Sequence, residues 1–458
     1  MGDQLAPGVR SARAGERSGR AESSTTQRPF GALLPPDFAQ NPYAFYRTLR
    51  STKPVLRAPV DSSGPGLWIL TRYCDVRRVF KDPRFSAMRH RSPLVRQFVD
   101  GLAPADTDTD GGLSSLLSMD APSHTRIRSL MAKAFAGRRI AALRPRIEAI
   151  VSRLLEEVPR DGRFDLIESL AAPLPAIAIA DLLGVPAEEH PLFRTWTTQI
   201  VDATRGDSRL LGRSTQLLTS LVAAPGVPAG DREVEESRTS TAKATAELTD
   251  YLRRSISLRR KSPRDDLLSA MIEAQEDRDA LSDSELVAAS TLILMAGLET
   301  TTNLIGNGVL ALLRNPGEME RLRRQPALLP FAIEEMLRFE SPVQGSARVS
   351  LEDVRLDGEI LPAGALAVAI IGAANRDPEI FSDPDRFDIG RSENRHLSFG
   401  DGAHFCLGAT LARLEAEIAL QALLHSFPDL ELDGDSIAWR PNFALRGLCG
   451  LSVRGRSH

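Results

Sequence analysis

Apolar residues recur at three- and four-residue spacing through the middle of the chain, the mark of helices that bury one face. Helices are expected at Arg144–Val158, Thr241–Arg260, Leu267–Glu276, Asp283–Arg314 and Pro330–Phe339. Short strand-like pieces fall near Gly66–Thr71 and between Ala347 and Ile371. The expected fold is therefore mainly α with small β-sheets.

The helix from Asp283 stands out. Ser282-Asp283-Ser284-Glu285 forms a capping box at its start, and Asn315-Pro316 stops it. About 32 residues at 1.5 Å each span roughly 48 Å, enough to cross a whole domain, which makes this helix central. In its middle, Ala296-Gly297-Leu298-Glu299-Thr300-Thr301-Thr302 interrupts the apolar pattern with a glycine and three hydroxyls. Such a stretch is expected where a helix opens locally.

No linker or fixed-period repeat divides the chain after about Pro29, so residues 29–458 read as one domain. Residues 1–28, rich in Ser, Gly, Arg and Glu, read as a disordered tail with no apolar signal region. Residues 223–240 carry two prolines and two glycines among charged residues and read as a mobile lid loop.

With 42% apolar and 26% charged residues among 458, wholesale disorder is excluded. Lys and Arg number 57 against 60 Asp and Glu, a net charge of −3, which gives no global field for nucleic acid. Apolar runs such as Ala365–Ala374 are too short to span a bilayer, so a soluble, cytoplasmic protein without membrane contact is expected. Three cysteines are too few for a disulfide framework or a two-pair zinc site.

One cysteine sits in a distinctive setting. Phe399-Gly400-Asp401-Gly402-Ala403-His404-Phe405-Cys406-Leu407-Gly408 places three glycines and a histidine around Cys406, just before a helix expected at Ala409–Leu424. Glycines allow a tight loop whose backbone N–H groups hold a thiolate toward a metal, and a haem iron with a Cys axial ligand suits it. On spacing alone, a buried structural cysteine is an equal reading. Cys74 and Cys449 lack this context, and His90, His190, His425 and His458 form no ligand spacing; His396 reads as structural.

The run resembles the F-G-x-G-x-H-x-C-x-G haem loop of the cytochrome P450 family. Three more segments are similar to that family's signatures in order and spacing: Glu335-Met336-Leu337-Arg338 to E-x-x-R, Pro384-Asp385-Arg386-Phe387 to P-x-R-F, and Ala296–Thr301 to A-G-x-E-T-T. The resemblance runs from about Pro29 to Val453 and is of the soluble bacterial type.

The resemblance implies haem b held by Cys406 within the loop that includes Phe399, Gly400 and Gly408. His124, Arg128, Arg348 and His404 would meet its propionates, with Arg126 facing solvent. Glu335, three residues from Arg338 on one helix face, would be bracketed by Arg338 and Arg386 for folding. Glu299 and Thr300 would activate dioxygen, the acid relaying protons and the hydroxyl donating a hydrogen bond. Substrate would lie against Leu292, Met295 and Ala296, with Pro342, Val343, Gln344, Ala444, Leu445 and part of Phe85–Met119. These side chains are mostly small or aliphatic, which implies an apolar organic substrate.

No G-x-G-x-x-G stands in a strand-to-helix setting, so electrons are expected from a separate ferredoxin and its NAD(P)H-dependent reductase. Arg126 and Arg413 would help dock that partner, with Asp401 tuning the choice. The expected activity is insertion of one atom of dioxygen into substrate, as hydroxylation or epoxidation, by a monomeric enzyme. A peroxide-driven or oxidative-coupling enzyme, and a non-catalytic haem sensor or carrier, are the alternatives.

Overall fold

The computed structural model describes residues 34–58, 64–100, 116–159, 162–206, 231–276, 279–434 and 436–456. The expected tail at 1–28 lies outside them, as do residues 223–230 of the expected lid and 101–115 of the expected substrate region.

The helix Asp283–Arg314 has the limits its caps demand. The Ser282 hydroxyl accepts from the Glu285 N–H at 3.2 Å, and the Glu285 carboxylate accepts from the Ser282 N–H at 2.8 Å. From Leu298 to Leu312 nearly every side chain is buried. The helix packs against Pro173–Leu182, Leu329–Phe339, Ala409–Ser426 and Asp231–Lys261, which makes it the axis of the largest core. Close crossing requires small residues: a Cβ on Gly308 would stand 2.6 Å from the Met336 sulfur.

The expected opening in the middle of this helix is absent, because Asp283–Arg314 is continuously α-helical. Two of the three threonine hydroxyls there bond back to the helix instead. Thr300 donates to the Ala296 carbonyl at 2.6 Å and Thr302 to the Leu298 carbonyl at 2.8 Å, so each polar group is satisfied with the turn intact.

The other expected helices lie at Arg144–Glu156, Leu267–Glu273, Leu329–Phe339 and Ala409–Ser426. The expected lid is corrected in part: residues 231–240 belong to a helix, Asp231–Lys261. Both prolines and both glycines of the segment lie at or before Gly230, so nothing breaks a helix beyond that point.

A five-stranded sheet runs in the order Val55–Ala58, Leu67–Leu70, Leu366–Ile370, Gly345–Ser350, Phe85–Ser86. Its register sets Arg348 opposite Ala367 and Phe85 opposite Ser350. Two smaller cores cover its faces. Among the described residues no helix is long and apolar enough to cross a membrane.

Candidate active site

The cysteine loop folds because two glycines supply what L-residues resist. Gly400 and Gly402 both adopt φ of +71°, and a Cβ on Gly402 would stand 2.6 Å from the Phe80 carbonyl. Asp401 caps the following turn through the Gly402 N–H at 2.7 Å. The Cys406 N–H then donates to the Phe399 carbonyl at 2.9 Å, just before the helix Ala409–Ser426 begins.

The Cys406 side chain has an open side by surface area, yet enough protein surrounds it for burial to push its thiol up. The Gly408 N–H, the charges of Arg128 and Arg413, and the Ala409 N–H oppose that rise. A coordinating metal would remove the thiol proton outright.

Beside the loop lies a basic cluster. The helix Ser123–Ala134 carries His124 and Arg128, and the Arg128 guanidinium donates to the Phe405 carbonyl at 2.6 Å. The His124 and His404 rings stand 3.9 Å apart, and the buried His124 Nε2 has no hydrogen-bond partner. Burial foremost, then the Arg348 charge, holds His404 down to about 3, so its ring is neutral at pH 7. Burial likewise lowers His124, with Arg128 adding to the effect.

Arg348 is buried and donates only to the Ser346 hydroxyl and the Ala347 carbonyl. Burial foremost, then the charge of the neighbouring Arg89, brings its guanidinium down to about 10. Among the described residues no carboxylate pairs with it. Buried guanidinium groups that outnumber the one nearby acid, Asp120, beside an orphaned imidazole nitrogen, suit a ligand that brings carboxylates of its own. A haem fits this set: one thiol in a rigid loop for iron, and a basic cluster for two propionates. Sequence reasoning missed Arg89, although its segment follows the strand that pairs with the one bearing Arg348.

On the central helix, Ala296 is exposed, and Leu292, Met295 and Thr300 are half-buried. Ala296 and Thr300 are one turn apart on one face, whereas Glu299 is buried with an Arg440 nitrogen at 3.8 Å. Acid and hydroxyl thus point to different surroundings.

The two late segments do come together. Val343 bridges Leu445, the Gln344 N–H donates to the Ala444 carbonyl at 2.8 Å, and the Arg446 N–H to the Pro342 carbonyl at 2.8 Å. Gln344 is a correction: its side chain is buried, donating to the Ser341 carbonyl at 2.8 Å and crowding Gly372. Side chains alternate along an extended segment, so Gln344 is fully buried where Val343 is only half-buried.

Arg386 is also corrected. Glu335 accepts from Arg338 at 2.7 and 2.8 Å, and its second guanidinium is Arg391, whose Nε donates at 3.1 Å. Arg386 is exposed and contributes only its carbonyl, which accepts from Arg338 at 3.1 Å. Burial of the adjacent Phe387 turns the Arg386 side chain outward.

The expected docking residues are engaged within the chain. Arg126 bonds Asp279 and Glu285 instead of standing free in solvent. Arg413 forks onto Glu334 at 2.6 and 2.8 Å and lies 4.5 Å from the Phe399 ring centre. Asp401 pairs with Arg77 at 2.7 Å. His396 is structural as expected, bonding Glu334 and the Ser398 N–H. Cys74 and Cys449 are both exposed.

Comparison with known proteins agrees with this geometry. Residues 67–441 match the family model described as Cytochrome P450. Cytochrome P450 107B1 of Saccharopolyspora erythraea is 41% identical over 422 residues, 91% of this chain and 96% of that protein. Cytochrome P450 monooxygenase PikC of Streptomyces venezuelae is 40% identical over 448 residues, covering 95% and 97% of the two chains. The solved structure of the Bacillus subtilis bacillaene polyketide synthase cytochrome P450 PksS is similar at a TM-score of 0.78 and 37% identity. It covers 94% of this chain and all of that one.

Proposed function

This chain belongs to the cytochrome P450 family and is a monooxygenase, and on that premise we propose that it holds haem b through Cys406 and oxygenates an apolar organic molecule. The observation that carries the reading is the Cys406 loop beside a basic cluster in which no carboxylate of the described residues pairs with Arg348 and the His124 Nε2 has no hydrogen-bond partner.

Haem supplies the oxygen-activating chemistry, and its thiolate ligand favours O–O cleavage. The chain's part is to place groups around it. Gly400 and Gly402 fix the loop, while the Gly408 and Ala409 N–H groups stabilise charge on the sulfur. Phe399, packed on Arg413, covers the same side. His124, Arg128, Arg348 and His404 hold the two carboxylates.

On the other side, Leu292, Met295, Ala296, Val343, Ala444 and Leu445 offer a mostly aliphatic wall, which selects an apolar molecule. Thr300 serves as the hydroxyl donor, which requires it to release the Ala296 carbonyl. Glu299, near Arg440, moves protons toward that face. Electrons come from a ferredoxin and its NAD(P)H-dependent reductase. A monomer in the cytoplasm completes the reading.

Turnover with surrogate ferredoxin, reductase and labelled dioxygen tests it. Product formed with reduced nicotinamide should carry one labelled oxygen atom. Product formed with hydrogen peroxide alone, and none with the reductase system, would assign a peroxide-driven enzyme instead.

A further inference from the structure

The basic cluster contains one guanidinium that neither the cysteine loop nor the helix Ser123–Ala134 supplies. Arg89 opens the short turn Arg89–Arg91 after the strand Phe85–Ser86, and that strand pairs with Gly345–Ser350, which bears Arg348. The Arg89 Nε is buried and has no hydrogen-bond partner. Among the described residues no carboxylate pairs with it. Burial holds its guanidinium below the usual range, and its charge in turn depresses Arg348.

A buried cation left alone is strongly unfavourable, so an anion is required. The acid of this cluster, Asp120, is already bonded by the Ser86 hydroxyl and by the Ala87 N–H at 2.8 Å. Counting charge decides how much anion is missing. Arg89, Arg128 and Arg348 bring three guanidinium charges to the cluster against the one carboxylate of Asp120. Two negative charges are needed, the number that the propionates of one haem bring. Without Arg89 the same site would end one charge negative.

We propose that Arg89 is a further haem-binding residue, a third guanidinium that takes a propionate beside Arg348. The inference rests on the haem reading above. Its chemistry is guanidinium to carboxylate, and that carboxylate belongs to the haem, not to substrate.

The test uses the purified holoprotein and excess apomyoglobin, following haem transfer by absorbance. Arg89→Leu should release haem about tenfold faster or more, as expected for loss of a buried charge-assisted hydrogen bond. Arg89→Lys should retain most of the wild-type hold. Loaded with haem dimethyl ester, whose carboxylates are capped, wild type and Arg89→Leu should release at equal rates. Equal release of native haem from wild type and Arg89→Leu would overturn the proposal, as would equal acceleration for haem and its ester, which would mark a loosened fold. If Arg89→Leu keeps its haem but loses the Soret response to dodecanoate and not to methyl dodecanoate, the residue serves a substrate carboxylate and the proposal fails. A wild-type protein without haem would overturn the parent reading itself.

Discussion

The Arg338 guanidinium and the Glu335 carboxylate meet in a two-pronged ion pair, with hydrogen bonds of 2.7 and 2.8 Å between side chains that are both 0% exposed. The remaining capacity of Glu335 is filled by Arg391, Asn394 and the Asp388 N–H. This pairing ties the helix Leu329–Phe339 to the segment that leads into the cysteine loop.

Removing one partner leaves the other charge buried, so Arg338→Ala should cost about 3–5 kcal/mol. Arg391→Ala should also destabilise, by about 1–3 kcal/mol, and Arg386→Ala by no more than about 0.5 kcal/mol. Urea unfolding of the holoproteins separates the two. Equal losses for Arg386→Ala and Arg391→Ala would restore the assignment made from P-x-R-F.

Glu415 is buried in the helix that follows Cys406, its Oε2 has no partner, and burial pushes its carboxyl up to about 8 from 4.5. The folded state therefore keeps a proton that the unfolded chain releases, and stability should fall as pH rises from about 4.5 to about 8. Glu415→Gln removes this slope. Its unfolding midpoint relative to wild type should rise between pH 5.5 and pH 8, and parallel curves would show that Glu415 is stabilised by other means.

Gly372 lies against the Gln344 amide, so a methyl group there must displace it. Gly372→Ala should cost about 1–3 kcal/mol in the wild-type background and less in Gln344→Ala. Additive losses would mean that the two do not touch. Because the Gln344 side chain is buried and held by the Ser341 carbonyl, Gln344→Ala should leave the affinity for apolar ligands within about twofold of wild type.

Thr300 has a hydroxyl that no step of substrate or electron binding needs. Thr300→Ala should still consume reduced nicotinamide, with product per nicotinamide falling several-fold and hydrogen peroxide rising in its place, and Thr300→Ser should recover most of the loss. Glu299→Gln should slow turnover with the haem spectrum retained. Coupling in Thr300→Ala equal to wild type would remove Thr300 from the catalytic group.

The central helix was legible to the residue because its ends are written in side chains: a Ser–Glu capping box and an Asn-Pro stop. The cysteine loop was legible because glycines with positive φ leave few other residues possible. What failed depended on contacts far apart in sequence. Arg391 reaches Glu335 across 56 residues, and no spacing within Pro384–Phe387 announces it. Gln344 turns inward because Gly372 leaves room, which the segment around Gln344 does not record. The interruption at Ala296–Thr302 predicted an open helix because hydroxyls compete with the backbone, but Thr300 and Thr302 found acceptors one turn back.

The central claim is that Cys406 is the thiolate ligand of a haem, and the carbon monoxide difference spectrum of the reduced protein tests it most directly. Wild type, Cys74→Ser and Cys449→Ser should all show the red-shifted Soret band of thiolate ligation, and Cys406→Ser should lose it. A Cys406→Ser protein that keeps that band, or a wild-type protein that never shows it, would contradict the account.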